Sequence, residues 1–298
     1  MHPNGSTYSI DQLFDLWKPT QFSSETIEAH RAQSEYTQLY SCPNCGLEIF
    51  LPQIIGTPSF YTELQANERQ GYYEEDKWEF SESLQEIHNS LSIIEIGCGT
   101  GNFLAEVKDS VRDAWGIEYN LDAIQCARKN GLNVVHIGEE NLLKKASFDL
   151  ALSFHVLEHI ENPMDFVIRM KSWVKKGGKI CISVPNQDGP LKYIDPCIMN
   201  MPPHHATRWH KKTFEVLAEK SDLQIERIAF EPLSITDHYY YSHYGVNSII
   251  PGETPINRFA RFILSNLSSS FFEFLKIIQI KRLKFLKGQS IYVVMSKR

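Results

Sequence analysis

The chain has 298 residues, of which 42% are hydrophobic and 22% are charged, a composition typical of a soluble globular protein. The net charge of -6 gives no electrostatic case for a nucleic-acid partner, and no apolar run approaches the length of a membrane span. Because the six cysteines are mostly scattered and no secretory signal pattern opens the chain, we expect a cytoplasmic protein.

Residues 1–90 precede the first predicted strand, and we assign them to an N-terminal extension. Within it, Cys42 and Cys45 form a C-x-x-C turn like that of a zinc knuckle. Two thiolates cannot complete a tetrahedral zinc site, so His2, His30 or a partner chain would have to supply further ligands. We therefore expect a degenerate knuckle that keeps its shape without metal, and we assign no metal ligand in the chain.

An aromatic segment, YYEEDKWEF at 72–80, lies just before the predicted sheet. Aromatic residues at this spacing are typical of packed core. The alternative is a lid in which Tyr72, Tyr73 and Trp78 stack on a substrate or shield it from water.

From about residue 90 the sequence alternates short apolar runs with amphipathic stretches. Apolar runs of this length are typical of strands that crossover helices bury on both faces. Asn162 before Pro163 predicts a helix N-cap, and KKGG at 175–178 predicts the end of that helix. The alternation predicts an α/β fold with a doubly wound sheet. The predicted strands are 92–98, 114–119, 134–137, 148–154, 179–184, 223–230 and 290–295, and the predicted helices are 103–110, 121–130, 163–174 and 212–220.

The first predicted strand leads into a glycine-rich turn, GCGTG at 97–101, where an α/β sheet binds its ligand. The spacing differs from the G-x-G-x-x-G of dinucleotide sites, and Glu95 would repel a pyrophosphate. Glu95 suits a cationic group instead, and Glu118 can accept hydrogen bonds from the hydroxyls of a ribose. These features predict S-adenosylmethionine, which has an amino acid end, a sulfonium and an adenosine but no phosphate.

The sequences IIEIGCGTGNFL, FDLALSFHVLEHIENP and VKKGGKICISVPN, together with the position of Glu118, resemble a class I S-adenosylmethionine-dependent methyltransferase. The resemblance implies a seven-stranded Rossmann-like sheet with an antiparallel last strand, in a domain of residues 91–298. It implies that the glycine loop lines the methionine end, Glu118 holds the ribose, the segment after the third strand reaches the adenine and the fourth strand ends near the sulfonium. The cofactor-binding residues implied in this way are Glu95, Gly97, Cys98, Gly99, Gly101, Glu118, Tyr119, Glu140, Asn141 and Phe154.

Methyl transfer to a hydroxyl needs an aligned acceptor and a base, and histidine is the natural base at neutral pH. The sequence MNMPPHHATRWHKKTF at 199–214 is similar to the PPHH…RW segment of methyltransferases of polysaccharide and glycan biosynthesis. We expect His204 or His205 to be the base or to orient the substrate, and His155 is the third candidate. The alternative is that these histidines only pin their loop through hydrogen bonds.

Glu158 and His159 follow the fourth predicted strand. One interpretation is that His159 packs against a neighbouring loop. The other rests on resemblance to quinone-ring O-methyltransferases, some of which bind a divalent metal near such a pair. Two adjacent residues alone make a poor ligand set, so we assign no metal site there.

Residues 232–288 interrupt the predicted sheet before its last strand, and we expect them to form a helical cover over the site. Between residues 256 and 287 the chain has seven basic residues and one acidic residue, with phenylalanines and isoleucines among them. A cover helix or a homodimer face is the favoured interpretation. A helix resting on an anionic membrane is the alternative.

The leading hypothesis is an enzyme that moves a methyl group from S-adenosylmethionine to a hydroxyl of a small or glycan-like acceptor. A C- or N-methyltransferase of the same fold remains open, because the cofactor motifs are shared. Two hypotheses from other classes are a non-catalytic scaffold that binds S-adenosylmethionine and a nicotinamide-dependent oxidoreductase.

Overall fold

A computed structural model describes residues 1–18, 20–67 and 77–298 of the chain. Tyr72 and Tyr73 of the aromatic segment therefore lie outside the described residues. The N-terminal segment contains both strands and helices. They are β1 (His2–Ser9), α1 (Ile10–Leu16), α2 (Ser24–Arg31), β2 (Tyr36–Ser41), β3 (Glu48–Leu51), α3 (Pro58–Asn67) and α4 (Trp78–Ser83).

The remainder of the chain forms the larger sheet, its helices and one short strand, β9, that joins the N-terminal segment. These elements are β4 (Ser92–Ile96), α5 (Asn102–Val107), β5 (Asp113–Glu118), α6 (Leu121–Lys129), β6 (Asn133–His136), β7 (Phe148–Phe154), α7 (Pro163–Trp173), β8 (Val174–Pro185), β9 (Thr207–Arg208), α8 (Lys211–Lys220), β10 (Leu223–Ser234), α9 (Val246–Ile249), α10 (Pro255–Ile277) and β11 (Arg282–Lys297).

The larger sheet has seven strands in the order β10-β11-β8-β7-β4-β5-β6. The five strands from β8 to β6 in this order are parallel, whereas β11 runs antiparallel to both β8 and β10. This topology confirms the predicted α/β fold with seven strands and an antiparallel last strand. Ligands of such sheets bind beyond the carboxyl ends of the parallel strands, where β4 and β5 lead into the glycine loop and Glu118.

The seven-stranded sheet is buried on both faces, as its apolar runs predict. Helices α7 and α8 cover one face with residues such as Met170 and Phe214, and α5 and α6 cover the other with residues such as Leu104 and Ile124. The predicted N-cap is confirmed, since the side chain of Asn162 accepts a hydrogen bond from the backbone N–H of Asp165. The active edge of the sheet is thus held by a rigid, well-packed scaffold.

The N-terminal segment forms a second, antiparallel sheet of four strands in the order β1-β2-β3-β9. Its own core contains the fully buried Phe50 and Phe60 and the nearly fully buried Trp17. Strand β9 belongs to the histidine-rich loop at 199–214. The N-terminal segment is therefore joined to that loop by the backbone hydrogen bonds between β3 and β9. The extension therefore holds one wall of the candidate site in place.

The insertion before the last strand is shorter than predicted. Strand β10 continues to Ser234 and β11 already begins at Arg282, so the predicted bounds of 232–288 are wrong at both ends. The reason is the antiparallel pairing of Leu233 with Leu283, two buried side chains that extend the ladder beyond the sheet core. The helical part lies between these strands and contains α9 and α10. Among the described helices, none combines the length and the apolar character needed to cross a bilayer.

Candidate functional site

A cavity of about 1270 Å³ opens at the carboxyl edge of the seven-stranded sheet. The glycine loop forms one end, the loop at 199–214 forms one wall, and the N-terminal segment, the end of β7 and the insertion contribute further lining. Of the thirteen residues predicted for the cofactor or for catalysis, eleven line this cavity, and Gly101 and Asn141 do not. The eleven are Glu95, Gly97, Cys98, Gly99, Glu118, Tyr119, Glu140, Phe154, His155, His204 and His205.

The glycine loop has a conformation that needs glycine at Gly97 and Gly101. Gly97 has a φ of 77°, and a Cβ there would lie 2.3 Å from Cγ2 of Val156. Gly101 has a φ of 85°, and its Cβ would lie 2.3 Å from Cδ1 of Leu132, behind the loop. Gly101 was predicted to contact the cofactor, but in the structure it packs closely against Leu132.

Glu95 and Glu118 place two carboxyl groups beside the loop. Glu95 is buried, and within the described part of the chain its Oε2 atom accepts no hydrogen bond. Burial raises the pKa of Glu95 well above its usual range, the charge of Lys77 opposes this, and the charge of Glu118 adds to it. Such an orphaned acidic oxygen fits the ammonium group of an amino acid ligand.

The carboxylate of Glu118 is fixed by three backbone N–H groups. Oε2 accepts from Gly99 at 2.8 Å, and Oε1 accepts from Tyr119 at 2.7 Å and from Asn120 at 2.8 Å. A carboxylate has about four acceptor positions, so about one remains for a ligand hydroxyl. This arrangement fits a ribose at the end of β5. The carboxylate of Glu118 also joins the glycine loop to the end of that strand through these hydrogen bonds.

The side predicted to hold the adenine contains Glu140 but not Asn141. Glu140 lines the main cavity, accepts from the backbone N–H of Gly138 at 2.9 Å and forms an ion pair with Arg169 at 3.4 Å. Asn141 instead lines an adjoining cavity of about 770 Å³, which shares Glu140 and Arg169 with the main one. The exposed ring of Tyr119 borders the same region of the main cavity.

An aromatic cluster forms the wall at the end of β7. The ring of Phe154 lies 5.1 Å from Phe80 and 5.1 Å from Phe103, both edge to face. Trp78 both lines the cavity and packs edge to face on Tyr292, so the two roles predicted for it coexist. Cys98 contributes backbone to the cavity, because its Sγ atom points towards Gly116 in the core.

His155 lies between two buried carboxylates. Its Nε2 atom donates to Oε1 of Glu79 at 2.7 Å, and its Nδ1 atom lies 3.3 Å from Oε1 of Glu158. Burial alone would lower the pKa of His155, but the charge of Glu79 and the contacts with both acids raise it to about 10. His155 is therefore protonated at neutral pH and cannot accept the proton of a substrate, which corrects its assignment as a candidate base.

Three other histidines from two loops form a cluster beside Glu158. His204 and His205 are nearly fully buried, and their rings stack with centroids 4.4 Å apart. Nδ1 of His159 donates to the carbonyl oxygen of His204 at 2.6 Å, so His159 does pin the neighbouring loop. Burial lowers the pKa of all three, and the other histidines lower it further for His204 and His205. The cluster is therefore neutral at neutral pH.

Two histidines of this cluster each have a ring nitrogen near Glu158. Nδ1 of His205 donates to Asn200 at 3.2 Å, so Nε2 is left as the acceptor, as in His159. Both Nε2 atoms lie 3.9 Å from Oε1 of Glu158. Among the described residues, His159, His204 and His205 are the group whose ligand atoms, all within 4.8 Å of one another, could hold a metal ion.

Several residues of the site were missed or given a smaller role in the sequence analysis. Tyr61 lies in no predicted motif, and Glu79 and Asn200 lie in the segments 72–80 and 199–214 but were given no role of their own. Tyr61 donates to the carbonyl oxygen of His204 at 3.3 Å and lies 3.0 Å from Nδ1 of His159. The sequence LEHI gave the one available signal for His159, whose side chain is 20% exposed and so more open than His204 or His205.

The cysteine pair lies away from this cavity. Cys42 and Cys45 form a turn closed by the N–H of Gly46 and the carbonyl of Cys42 at 2.8 Å. His30 cannot complete a zinc site, because its Nδ1 donates to Thr26 and its Nε2 accepts from Thr57. Within the described residues, no group of three or more potential metal ligands includes either thiol.

Comparison with known proteins identifies the family. Residues 38–228, more than half of the chain, match a family model described as "Methyltransferase domain". The chain is 30% identical over 134 residues to a ubiquinone biosynthesis O-methyltransferase from Roseobacter denitrificans and 24% identical over 157 residues to a tRNA U34 carboxymethyltransferase from Idiomarina loihiensis. These alignments cover 43% and 49% of this chain, and 52% and 47% of the two relatives, so the chain spans about half the length of each.

A solved structure described as a SAM-dependent methyltransferase from Archaeoglobus fulgidus has the same fold. It is 17% identical, with a TM-score of 0.50, and the alignment covers 80% of this chain and all of that chain. At this identity the likeness shows the fold alone. The family match, the sheet order and the glycine loop agree. The chain belongs to the class I S-adenosylmethionine-dependent methyltransferases, whose methyl donor is S-adenosylmethionine.

Proposed function

We propose that the protein transfers a methyl group from S-adenosylmethionine to a hydroxyl of a small or glycan-like acceptor. The observation that carries this proposal is the continuity of one cavity from the glycine loop to the neutral histidines His159, His204 and His205. A volume of about 1270 Å³ is larger than most single-ligand pockets, so it has room for an acceptor beside the cofactor.

His159 is the proposed base. Its Nδ1 atom is held by the carbonyl of His204, so its Nε2 atom carries the lone pair, and its side chain is the most exposed of the cluster. When bound, the cofactor supplies the methyl group, and its sulfur leaves as a neutral thioether. His159 then takes the hydroxyl proton, His205 offers a second acceptor, and His204 fixes the ring of His159.

A glycan-like acceptor is supported by the polar wall that the insertion and strand β11 contribute. Thr236, Asp237 and Gln289 offer donors and acceptors there, and the aromatic rings of Trp78 and Tyr240 also line the cavity. Hydrogen-bonding groups combined with aromatic faces suit a sugar ring, which has hydroxyl edges and apolar C–H faces. The similarity of the loop at 199–214 to glycan methyltransferases supports the same acceptor class.

The proposal is tested by following the transfer of a labelled methyl group from S-adenosylmethionine to a panel of sugar, nucleotide-sugar and phenolic acceptors. We expect a labelled methyl ether with at least one sugar acceptor. His159→Asn should lower kcat by about 10²–10⁴-fold while leaving S-adenosylhomocysteine binding unchanged. His88→Asn, on an exposed loop, is the matched control. Label transferred only to carbon or nitrogen would overturn the hydroxyl assignment.

A second role for the same cluster is supported by the closeness of the acceptor ring nitrogens of His159 and His205 to Glu158. Glu158, His159 and His205 form a mixed carboxylate and imidazole set of the kind that first-row transition metals accept, with each Nδ1–H already bonded to an oxygen. A bound dication would polarise an acceptor hydroxyl. Titration with Co²⁺, followed by the visible absorption of the bound ion, tests this role. If no visible spectrum appears, or if His205→Asn does not change it, the metal role is ruled out and the base mechanism remains.

A further inference from the structure

Helix α10 presents its apolar side away from the protein. Thr254 caps it by accepting from the N–H of Asn257, and its 23 residues span about 34 Å. Only Phe272 and Leu275 are buried, in a small cluster with Leu233 and Leu283. The other residues on this inner side are small or polar, and they are half-buried: Arg261, Ser265, Ser268 and Ser269.

The outward side of α10 carries a continuous apolar row, which we call the exposed stripe. Its members recur every three or four residues, so they lie on one face of the helix. Their exposed fractions range from 39% for Ile263 to 80% for Ile256. The exposed stripe consists of Ile256, Phe259, Ile263, Leu267, Phe271, Phe274 and Ile277. A row of this length is a larger exposed apolar surface than solvent-facing helices normally carry.

The segment that carries the exposed stripe is basic in sequence. The segment 256–287 has seven basic residues and one acidic residue, whereas the remainder of the chain has 23 basic and 35 acidic residues. Arg258, Arg261, Lys276 and Arg282 are paired with acids. Lys281 and Lys284 are exposed and, within the described part of the chain, have no acidic partner within 4 Å. Phe285, the residue after Lys284, is 74% exposed.

The apolar stripe and the basic residues together indicate which kind of partner could cover the stripe. A second copy of the chain would bring an identical basic segment against this one, and like charges facing each other cost free energy. An anionic lipid surface offers the opposite charge and an apolar layer below it at once. The helix contains four charged residues and crosses no bilayer, so it would lie in the plane of the interface.

We propose that the exposed stripe and Lys281, Lys284 and Phe285 bind the surface of an anionic lipid bilayer, with α10 lying in the interface. The insertion that carries α10 also lines the cavity with Asp237 and Tyr240. Binding at the membrane therefore holds the cavity close to the bilayer, where an acceptor with a lipid anchor would be presented.

The test is sedimentation of the full chain with vesicles. One set is an equimolar mixture of phosphatidylglycerol and phosphatidylcholine, and the other is phosphatidylcholine alone. We expect binding to the anionic vesicles that weakens as salt is added. The double variant Phe259→Gln with Phe274→Gln should weaken binding by about tenfold or more, and Lys281→Gln with Lys284→Gln by about tenfold.

Tyr36→Gln is the matched control, because Tyr36 is 53% exposed on β2 and Phe274 is 56% exposed on α10. An unchanged thermal midpoint and unchanged S-adenosylhomocysteine binding show that the variants are folded, and this readout is independent of the acceptor. Equal binding to both vesicle types, no binding, or binding unaffected by the phenylalanine changes overturns the proposal. A dimer in light scattering that the phenylalanine variant abolishes overturns it in favour of a second copy.

Discussion

The Nε2 atom of His155 donates to Oε1 of Glu79 over 2.7 Å, and this contact joins α4 to the residue that follows β7. The same carboxyl has its pKa lowered to about 2, because the charge and hydrogen bond of His155 outweigh the effect of burial. His155 also has a φ of 53°, a conformation that its surroundings must stabilise. The pair thus fixes the cavity wall at the end of β7.

The Glu79–His155 pair predicts a defined pH dependence of stability. The pKa of His155 rises from 6.5 to about 10, so its contribution is complete below pH 6.5 and is lost as pH rises through about 10. The pKa of Glu79 falls from 4.5 to about 2, so its contribution is complete above pH 4.5 and is lost as pH falls through about 2. We expect Glu79→Gln to cost about 3–5 kcal/mol of unfolding free energy between pH 4.5 and 6.5 and less outside that window.

Urea unfolding of both proteins across pH measures this difference, with Glu106→Gln as an exposed control. A cost that stays constant at every pH would show that the pair is not an ion pair.

Gly97 and Gly131 form a matched test of the glycine loop. Both have positive φ, 77° and 75°, but a Cβ on Gly97 would meet Val156 at 2.3 Å whereas one on Gly131 meets nothing within 4 Å. Gly131→Ala should cost about 1–2 kcal/mol, the price of a left-handed alanine, and Gly97→Ala should cost more. Calorimetric melting of both variants checks this, and equal costs would contradict the close approach of Val156.

The buried histidines predict a loss of stability in acid. Burial lowers the pKa of His204 and His205, so below pH 6.5 the unfolded chain binds protons that the folded chain does not. The free energy of unfolding should therefore decrease as the pH is lowered, by up to about 1.4 kcal/mol per pH unit for each histidine. In the variant His204→Gln with His205→Gln the slope should be smaller by the contribution of these two histidines, whereas that of His159 remains. Parallel unfolding curves for the two proteins between pH 6.5 and 4.5 would refute the assignment.

The sequence predicted the parallel part of the fold well because apolar runs identify strands that are buried on both faces. The bounds of β7, Phe148–Phe154, match the predicted strand, and the other strands differ mainly at their ends. Strands β1 and β2 were not predicted, since HPNGSTYS is mostly exposed and neither it nor YTQLYS has an apolar alternation. The pairing that forms them is tertiary, as is the extension of β11.

The parts of the site that are formed by residues close together in the sequence could be predicted. Glu95 and Glu118 lie near the carboxyl ends of the consecutive strands β4 and β5, and the glycine loop follows β4, so their proximity could be inferred. The state of His155 could not, because Glu79 lies 76 residues before it in the chain and reaches it only through α4. The side on which α10 exposes its apolar residues likewise depends on packing that periodicity does not reveal.

The most direct test of the account is a calorimetric titration with S-adenosylhomocysteine. Wild-type protein should bind it saturably with one site. Glu118→Ala should weaken binding by about 1–3 kcal/mol through loss of the ribose contact, whereas Glu106→Ala should not. Absence of binding by the folded wild-type chain, or binding that Glu118→Ala leaves unchanged, would contradict the placement of the cofactor at the glycine loop.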